Sequence, residues 1–281
     1  METIVDIFIY GLEGLISAFL NTALTIADVK LVDLADTAFN IQNHLTSNIG
    51  LDFISFYKAT SLFGFYFIVL KFLIKGFNVY ILWNEGDSDM DPFILFTGFI
   101  KAIVTTICFN FLFSFFIEIP LEMLDFILNS INTVDVRGMS LSELVSTFAS
   151  RIMIINAIFV AIYIVLYIQF IKRGFEIFAL KIGVPIASVG LMDSDGGVFK
   201  PFIKKFTQEI LAVLVQILFL KVSVALMING NILFGLAGIG AAVKAPQFLQ
   251  EFIMMYGGGQ GVVSKTSQTL YMANMVRSFA K

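Results

Sequence analysis

The sequence holds one cysteine, Cys108, and one histidine, His44, among 281 residues. One cysteine cannot close an internal disulfide. Zinc sites take three or four Cys, His or carboxylate ligands, a set this inventory hardly supplies. Dyads and triads that use histidine as base have a single candidate. His44 lies in the polar run Asn40-Ile41-Gln42-Asn43-His44, with no nucleophile signature beside it, and reads as solvent-facing. Charge is scarce as well: 14% of residues are charged, against about 25% in a soluble domain. The formal net charge of −3 argues against the basic patch of a nucleic-acid-binding domain. The inventory points away from an enzyme and offers no cofactor motif.

What the chain has in abundance is apolar surface. It is 58% hydrophobic, with 32 Phe and a mean hydropathy of +0.90. A soluble fold shows Lys, Glu, Arg and Asp to water, so a chain this poor in them presents much of its surface to lipid. The expected fold class is all-α: a polytopic transmembrane helical bundle of about five crossings with flanking amphipathic helices.

A signal peptide begins with a basic stretch and ends at a small-residue cleavage site. Residues 1–27 instead carry Glu2 and Asp6, and no Lys or Arg precedes Lys30. Ile4, Ile7, Phe8, Gly11, Leu12, Leu15, Phe19 and Leu20 recur at helical spacing. The segment is therefore expected to be a retained amphipathic helix at an interface. Residues 28–52 are more polar and read as a second amphipathic or looped stretch.

A crossing helix needs about 20 mostly apolar residues. Spans are expected at about 57–83, 92–117, 152–171, 206–228 and, less cleanly, 232–256, where Lys244, Pro246, Gln247, Gln250 and Glu251 intrude. Residues 175–191 are apolar but interrupted by Lys181 and Pro185 and read as a bent interfacial or re-entrant segment. This divides the chain into an extracytoplasmic N-terminal region (1–55), a transmembrane domain (56–256) and a cytoplasmic tail (257–281).

Orientation follows the placement of Lys and Arg. Lys172, Arg173, Lys181, Lys200, Lys204 and Lys205 gather between the third and fourth spans, so that loop is expected inside. Alternation then puts the N-terminus outside and the tail, with Lys265, Arg277 and Lys281, in the cytoplasm. The acidic loop of Glu85, Asp87, Asp89 and Asp91 also falls inside, within reach of Lys71, Lys75 and Lys101.

Ionisable groups within a span mark a pathway or an interior contact. Lys71 and Lys75 lie one turn apart on one face; they line a lumen, meet a partner, snorkel, or pair with the following acids. Glu209, Gln216 and Ser223 repeat every seven residues along the fourth span and form a polar stripe for a lumen or for helix packing, while Lys221 points elsewhere on the same helix. Glu118, Glu122 and Asp125 share a face opposite Leu121, Leu124 and Leu128 and read as an amphipathic helix on the outer surface. The run Gly235-Leu236-Ala237-Gly238-Ile239-Gly240-Ala241-Ala242 has no preceding strand and no Gly-Lys-Ser/Thr, so it is no phosphate loop. Its small residues at spacing four, Gly238 and Ala242 among them, suit close helix contact in lipid. After the flexible Gly257–Gly261 break, a weakly amphipathic helix is expected at about 264–279.

Two stretches carry a resemblance. Ile182-Gly183-Val184-Pro185-Ile186-Ala187, followed by the polar Asp193-Ser194-Asp195-Gly196-Gly197 turn and a long apolar helix, resembles the TrbL-type membrane subunit of type IV secretion and conjugation machines. Lys244-Ala245-Pro246-Gln247-Phe248-Leu249-Gln250 and the glycine run after it resemble the same family's C-terminal region. The resemblance implies a non-enzymatic ring of identical subunits in the bacterial inner membrane. It also implies partners: separate ATPases, stalk or pilin-like subunits, and single-stranded DNA or protein in transit. Pro185 and Pro246 carry over as backbone shapers. The long extensions of many family members are absent.

Other classes fit less well. A small-solute or ion transporter would use Lys71, Lys75 and Glu209, yet the matched helix breaks of an inverted repeat are missing, since Pro185 and Pro246 both fall in the second half. A holin-like pore does not need five spans. An intramembrane hydrolase would have Cys108 and Ser114 without a histidine base, and no span holds the two aspartates of an aspartyl protease.

Overall fold

The computed structural model describes residues 2–84, 92–129, 139–148, 153–193 and 195–256. Among them every regular element is helical: α1 (Glu2–Ala27), α2 (Leu31–Phe39), α3 (Ile41–Ile49), α4 (Phe53–Asn84), α5 (Pro92–Asn129), α6 (Leu141–Phe148), α7 (Met153–Ala187), α8 (Phe199–Ile228) and α9 (Ile232–Tyr256), with a 3₁₀ turn over Ser188–Met192 after α7. Five are long and apolar enough to cross a membrane, within Phe53–Leu82, Pro92–Met123, Met153–Met192, Phe199–Ile228 and Ile232–Glu251. The expected acidic loop and the expected helix at 264–279 lie outside the described residues.

Two boundaries differ from the sequence reading. Residues 175–187 are not a separate bent segment but the continuation of α7, a single helix of 35 residues. Lys181 does not stop it because the charge is buried and held by side chains of other helices. Pro185 lies in the last turn, just before the helix tightens into 3₁₀ geometry, so little of α7 follows for its kink to displace. Likewise Glu118, Glu122 and Asp125 form no separate surface helix. They extend α5, which runs through Pro120 to Asn129.

α8 is the centre of the bundle: 67% of its apolar window is buried, against 11% for α4. Phe206 fills the contact with α5, its ring 5.8 Å from Phe109 and 5.7 Å from Phe113. The glycine-rich start of α9 lies against the end of α8. A Cβ on Gly238 would run into the Ser223 hydroxyl, and one on Gly235 into Met227 and the Ser223 carbonyl. Ala242, one turn past Gly238, is fully buried. Lipid tails are as apolar as these side chains, so close approach and dispersion hold the pair rather than the hydrophobic effect.

α7 is long enough to serve two sets of neighbours. Its first half carries α1, α2 and α8: the Tyr163 hydroxyl donates to the Val29 carbonyl at 2.9 Å, and glycine at 174 leaves room for Ile41 and the Thr37 carbonyl. Its second half carries α4 and α5, with Phe178 5.7 Å from Phe53 and the Pro185 backbone against Gly64. The N-terminal region is thus partly inside the bundle, with Leu34 and Ala38 of α2 fully buried. Asp28 ties in α6 by accepting from the Ser142 N–H at 2.9 Å. That hydrogen bond is the main reason its carboxyl is held below the ordinary value.

Gly64→Ala sets a helix-propensity gain of up to about 1 kcal/mol against the Pro185 backbone that the new methyl would strike. We expect the clash to win, lowering stability by about 1–3 kcal/mol, read as a lower melting temperature in detergent. An unchanged or raised melt would show that α4 and α7 do not touch there.

Candidate functional site

Two polar clusters form where α7 meets its neighbours. In the first, α7 and α8 run antiparallel, so residues spaced by one turn on α7 meet residues spaced by two turns on α8. Arg173 donates from Nε to Gln216 Oε1 at 2.9 Å and from Nη1 to Glu209 Oε2. Gln216 donates in turn to Gln169 Oε1 at 2.7 Å. The other Glu209 oxygen accepts from Lys205 Nζ, one turn away on α8. Lys172 and Glu176 pair at 3.8 Å. With Pro246, Gln247 and Gln250 of α9 these groups line a polar cavity of about 270 Å³. Proline at 246 has no N–H for the Ala242 carbonyl one turn back, and such a break is tolerated where protein or water covers it.

Glu209 is 1% exposed and Gln216 fully buried. Lys221 is buried on the same helix. All three side chains are buried in the bundle, where the sequence had left a lumen, a partner or helix packing open for them. The cause is visible in the partners. Arg173 brings a guanidinium into the span, and only a carboxylate with carboxamide support can hold it there.

The second cluster closes the far end of α7. Lys71 Nζ donates to Asp193 Oδ2 at 2.7 Å and to the Val189 carbonyl at 3.2 Å. Lys75 Nζ donates to Asp193 Oδ1 at 2.7 Å and to the Met192 carbonyl at 2.9 Å. The two ammonium groups thus bracket one carboxylate and satisfy carbonyls at a helix C-terminus, where cations are favoured. Gly196 (φ +80°) and Gly197 (φ +43°) take the left-handed conformations that turn the chain toward α8. Burial pushes the Asp193 carboxyl up, but the hydrogen bonds and charges of Lys71 and Lys75 outweigh it and hold the group below its ordinary value. Among the described residues the acidic partner of both lysines is thus Asp193, inside the family-like turn, which the sequence reading did not single out.

Lys181 and Arg173 also escaped that reading, which counted them as loop charges. Lys181 donates to Gln42 Oε1 at 2.9 Å and lies 4.5 Å and 4.0 Å from the ring centroids of Phe53 and Phe113. Both residues lie in α7, and both are buried.

Glu209→Leu leaves Arg173 buried without its carboxylate, at an expected cost of about 3–5 kcal/mol, whereas Arg173→Met together with Glu209→Leu should recover most of the loss. Thermal unfolding of the single and double variants in detergent measures both. For Asp193, whose folded pKa lies below the ordinary 3.8, the clamp stabilises fully above that value. The contribution is lost as pH falls through the folded pKa. The melting temperature of wild type should therefore exceed that of Asp193→Asn at neutral pH and converge on it in acid.

From residue 9 to residue 281 the chain matches the family described as conjugal transfer protein TrbL. No curated protein and no solved structure matches it. The match takes in the whole of the α7–α8–α9 core, the Asp193 turn and the Pro246 stretch, so this multi-pass helical chain belongs to the TrbL family of conjugal transfer proteins.

Proposed function

We propose that the chain is a channel or scaffold subunit of a type IV secretion machine for conjugative DNA transfer, working as a ring of identical copies in the bacterial cytoplasmic membrane. The observation that carries the reading is the family match over residues 9–281 in a chain with five membrane-length helices. The subunit supplies a path or frame in the membrane; ATPases supply the energy, and stalk or pilin-like subunits meet it on the outer side. Single-stranded DNA or protein is in contact with it only during passage.

Two features support a ring. α4 leaves most of its length uncovered, with Phe63, Tyr66, Leu70 and Phe77 exposed, a face for lipid or for the next copy. Glu209 of α8 is tied to Arg173 inside the protomer, so a lumen would be walled by other faces and assembled between copies. The orientation proposed is N-terminus outside, C-terminus inside. The Lys71–Asp193–Lys75 clamp supports the alternation, since it joins the second half of α4 to the turn that follows α7, two crossings later. Of the basic cluster, Lys172, Lys200 and Lys204 remain exposed and favour the inner side.

A clean deletion of the gene should abolish DNA transfer, leave growth normal and be complemented in trans. Undiminished transfer in the deletion strain would overturn the role. A green fluorescent protein fused after Lys281 should fluoresce, as it does only on the cytoplasmic side; a dark but stably made fusion would reverse the orientation. Mass photometry of the detergent-purified machine should find several copies of the subunit together, and a single copy would contradict the ring.

A further inference from the structure

Beside the lysine clamp lies an open crevice of about 460 Å³ between α4 and the turn from α7 to α8. Phe67 walls it on one side, Ile186 and Val189 form its floor, and Val198 and Phe202 close the other side; the lining is almost wholly apolar, and Lys71 stands at its edge. Glycine at 183 keeps it open, since a side chain there would press on the Phe202 ring. Phe67, Ile186 and Val198 are 44%, 48% and 67% exposed, so the crevice faces whatever surrounds the bundle. The apolar stretch of membrane length that contains α7 runs to Met192, and the clamp at Asp193 follows it directly.

We propose that this crevice binds an anionic phospholipid, with one acyl chain in the apolar cleft and the phosphate against Lys71 and Lys75. Charge decides for such an occupant. Among the described residues Lys71 and Lys75 meet the single carboxylate of Asp193. Asp195, whose Oδ1 accepts from the Gly197 N–H at 3.0 Å, and the exposed Lys200 cancel each other, so among the described residues the cluster carries one net positive charge. Each ammonium has three N–H donors and, among the described residues, gives two to protein oxygens, so a phosphate can take the third. A zwitterionic lipid would fill the cleft without answering the charge. Basic pockets between transmembrane helices at a membrane surface hold anionic headgroups for this reason. The lipid would brace the α4–α7 contact from outside, at the same turn the clamp fastens from within.

Native mass spectrometry of the full chain in detergent, with phosphatidylglycerol or phosphatidylcholine added, tests this. Wild type should retain phosphatidylglycerol about fivefold or more over phosphatidylcholine, the factor one lysine contributes near an anionic headgroup. Lys71→Gln should bring the two lipids level. Val198→Trp, at an exposed position, should fill the cleft and reduce retention of both, and Ile186→Trp from the floor should do the same, with the melting temperature checking that each variant is folded. Equal retention of the two lipids by wild type would overturn the proposal, as would tryptophan variants that bind like wild type. So would a self-association that Val198→Trp breaks while lipid retention stays unchanged, because the crevice would then belong to a second copy.

Discussion

A guanidinium placed within a membrane-spanning helix has few places to go, because lipid offers it neither water nor a counter-ion. Arg173 sits in the middle of α7, and the bundle around it is arranged so that Glu209 and Gln216 of α8 reach it from successive turns. That requirement fixes the rotation and the depth of α8 against α7. With α8 set, Ser223 presents itself to the glycines of α9, and Phe206 is directed at the aromatic side of α5. In a solvent where apolar helices gain little by leaving lipid for one another, one ion pair with carboxamide support specifies a register that hydrophobic contact alone would leave loose. Hydrogen-bonded charge is costly to bury, so its value here is in choosing one arrangement over others.

The same logic works at the far end of α7. Pro185 and the 3₁₀ turn leave carbonyls that the helix no longer satisfies, and the lysines of α4 arrive to accept that role together with Asp193. Ser188 takes part as well, donating to the Pro185 carbonyl at 2.7 Å and lying 2.7 Å from the Thr106 hydroxyl of α5. Three helices thus meet at one backbone irregularity. Such an element holds α4, α5 and α7 at fixed angles to one another.

Helix content and the number of spans were legible because apolar runs of membrane length have few other readings, and the family resemblance rested on the Asp193 turn and the Pro246 stretch. The spacing of Glu209, Gln216 and Ser223 showed that they share a face but not whether that face looks in or out. The answer depended on Arg173, which sequence logic had assigned to a loop because positive charge normally marks one. Lys181 was misassigned for the same reason, and both errors cut α7 short. A helix break was expected where charge interrupts an apolar run; burial among Gln42, Phe53 and Phe113 supplies the environment that lets the helix continue. Pairing across more than a hundred residues, such as Lys75 with Asp193, leaves no local signal.

The account turns on the polar face of α8 being an internal fastening and not the wall of a conduit. With Cys108 replaced by serine, a cysteine introduced at Gln216 can be challenged with a water-soluble maleimide in membranes carrying the assembled machine. A cysteine at Lys204, on the exposed side of the same helix, serves as the positive control. The account predicts labelling at 204 and none at 216 in those membranes. Rapid labelling at 216 would put that face in water and contradict it.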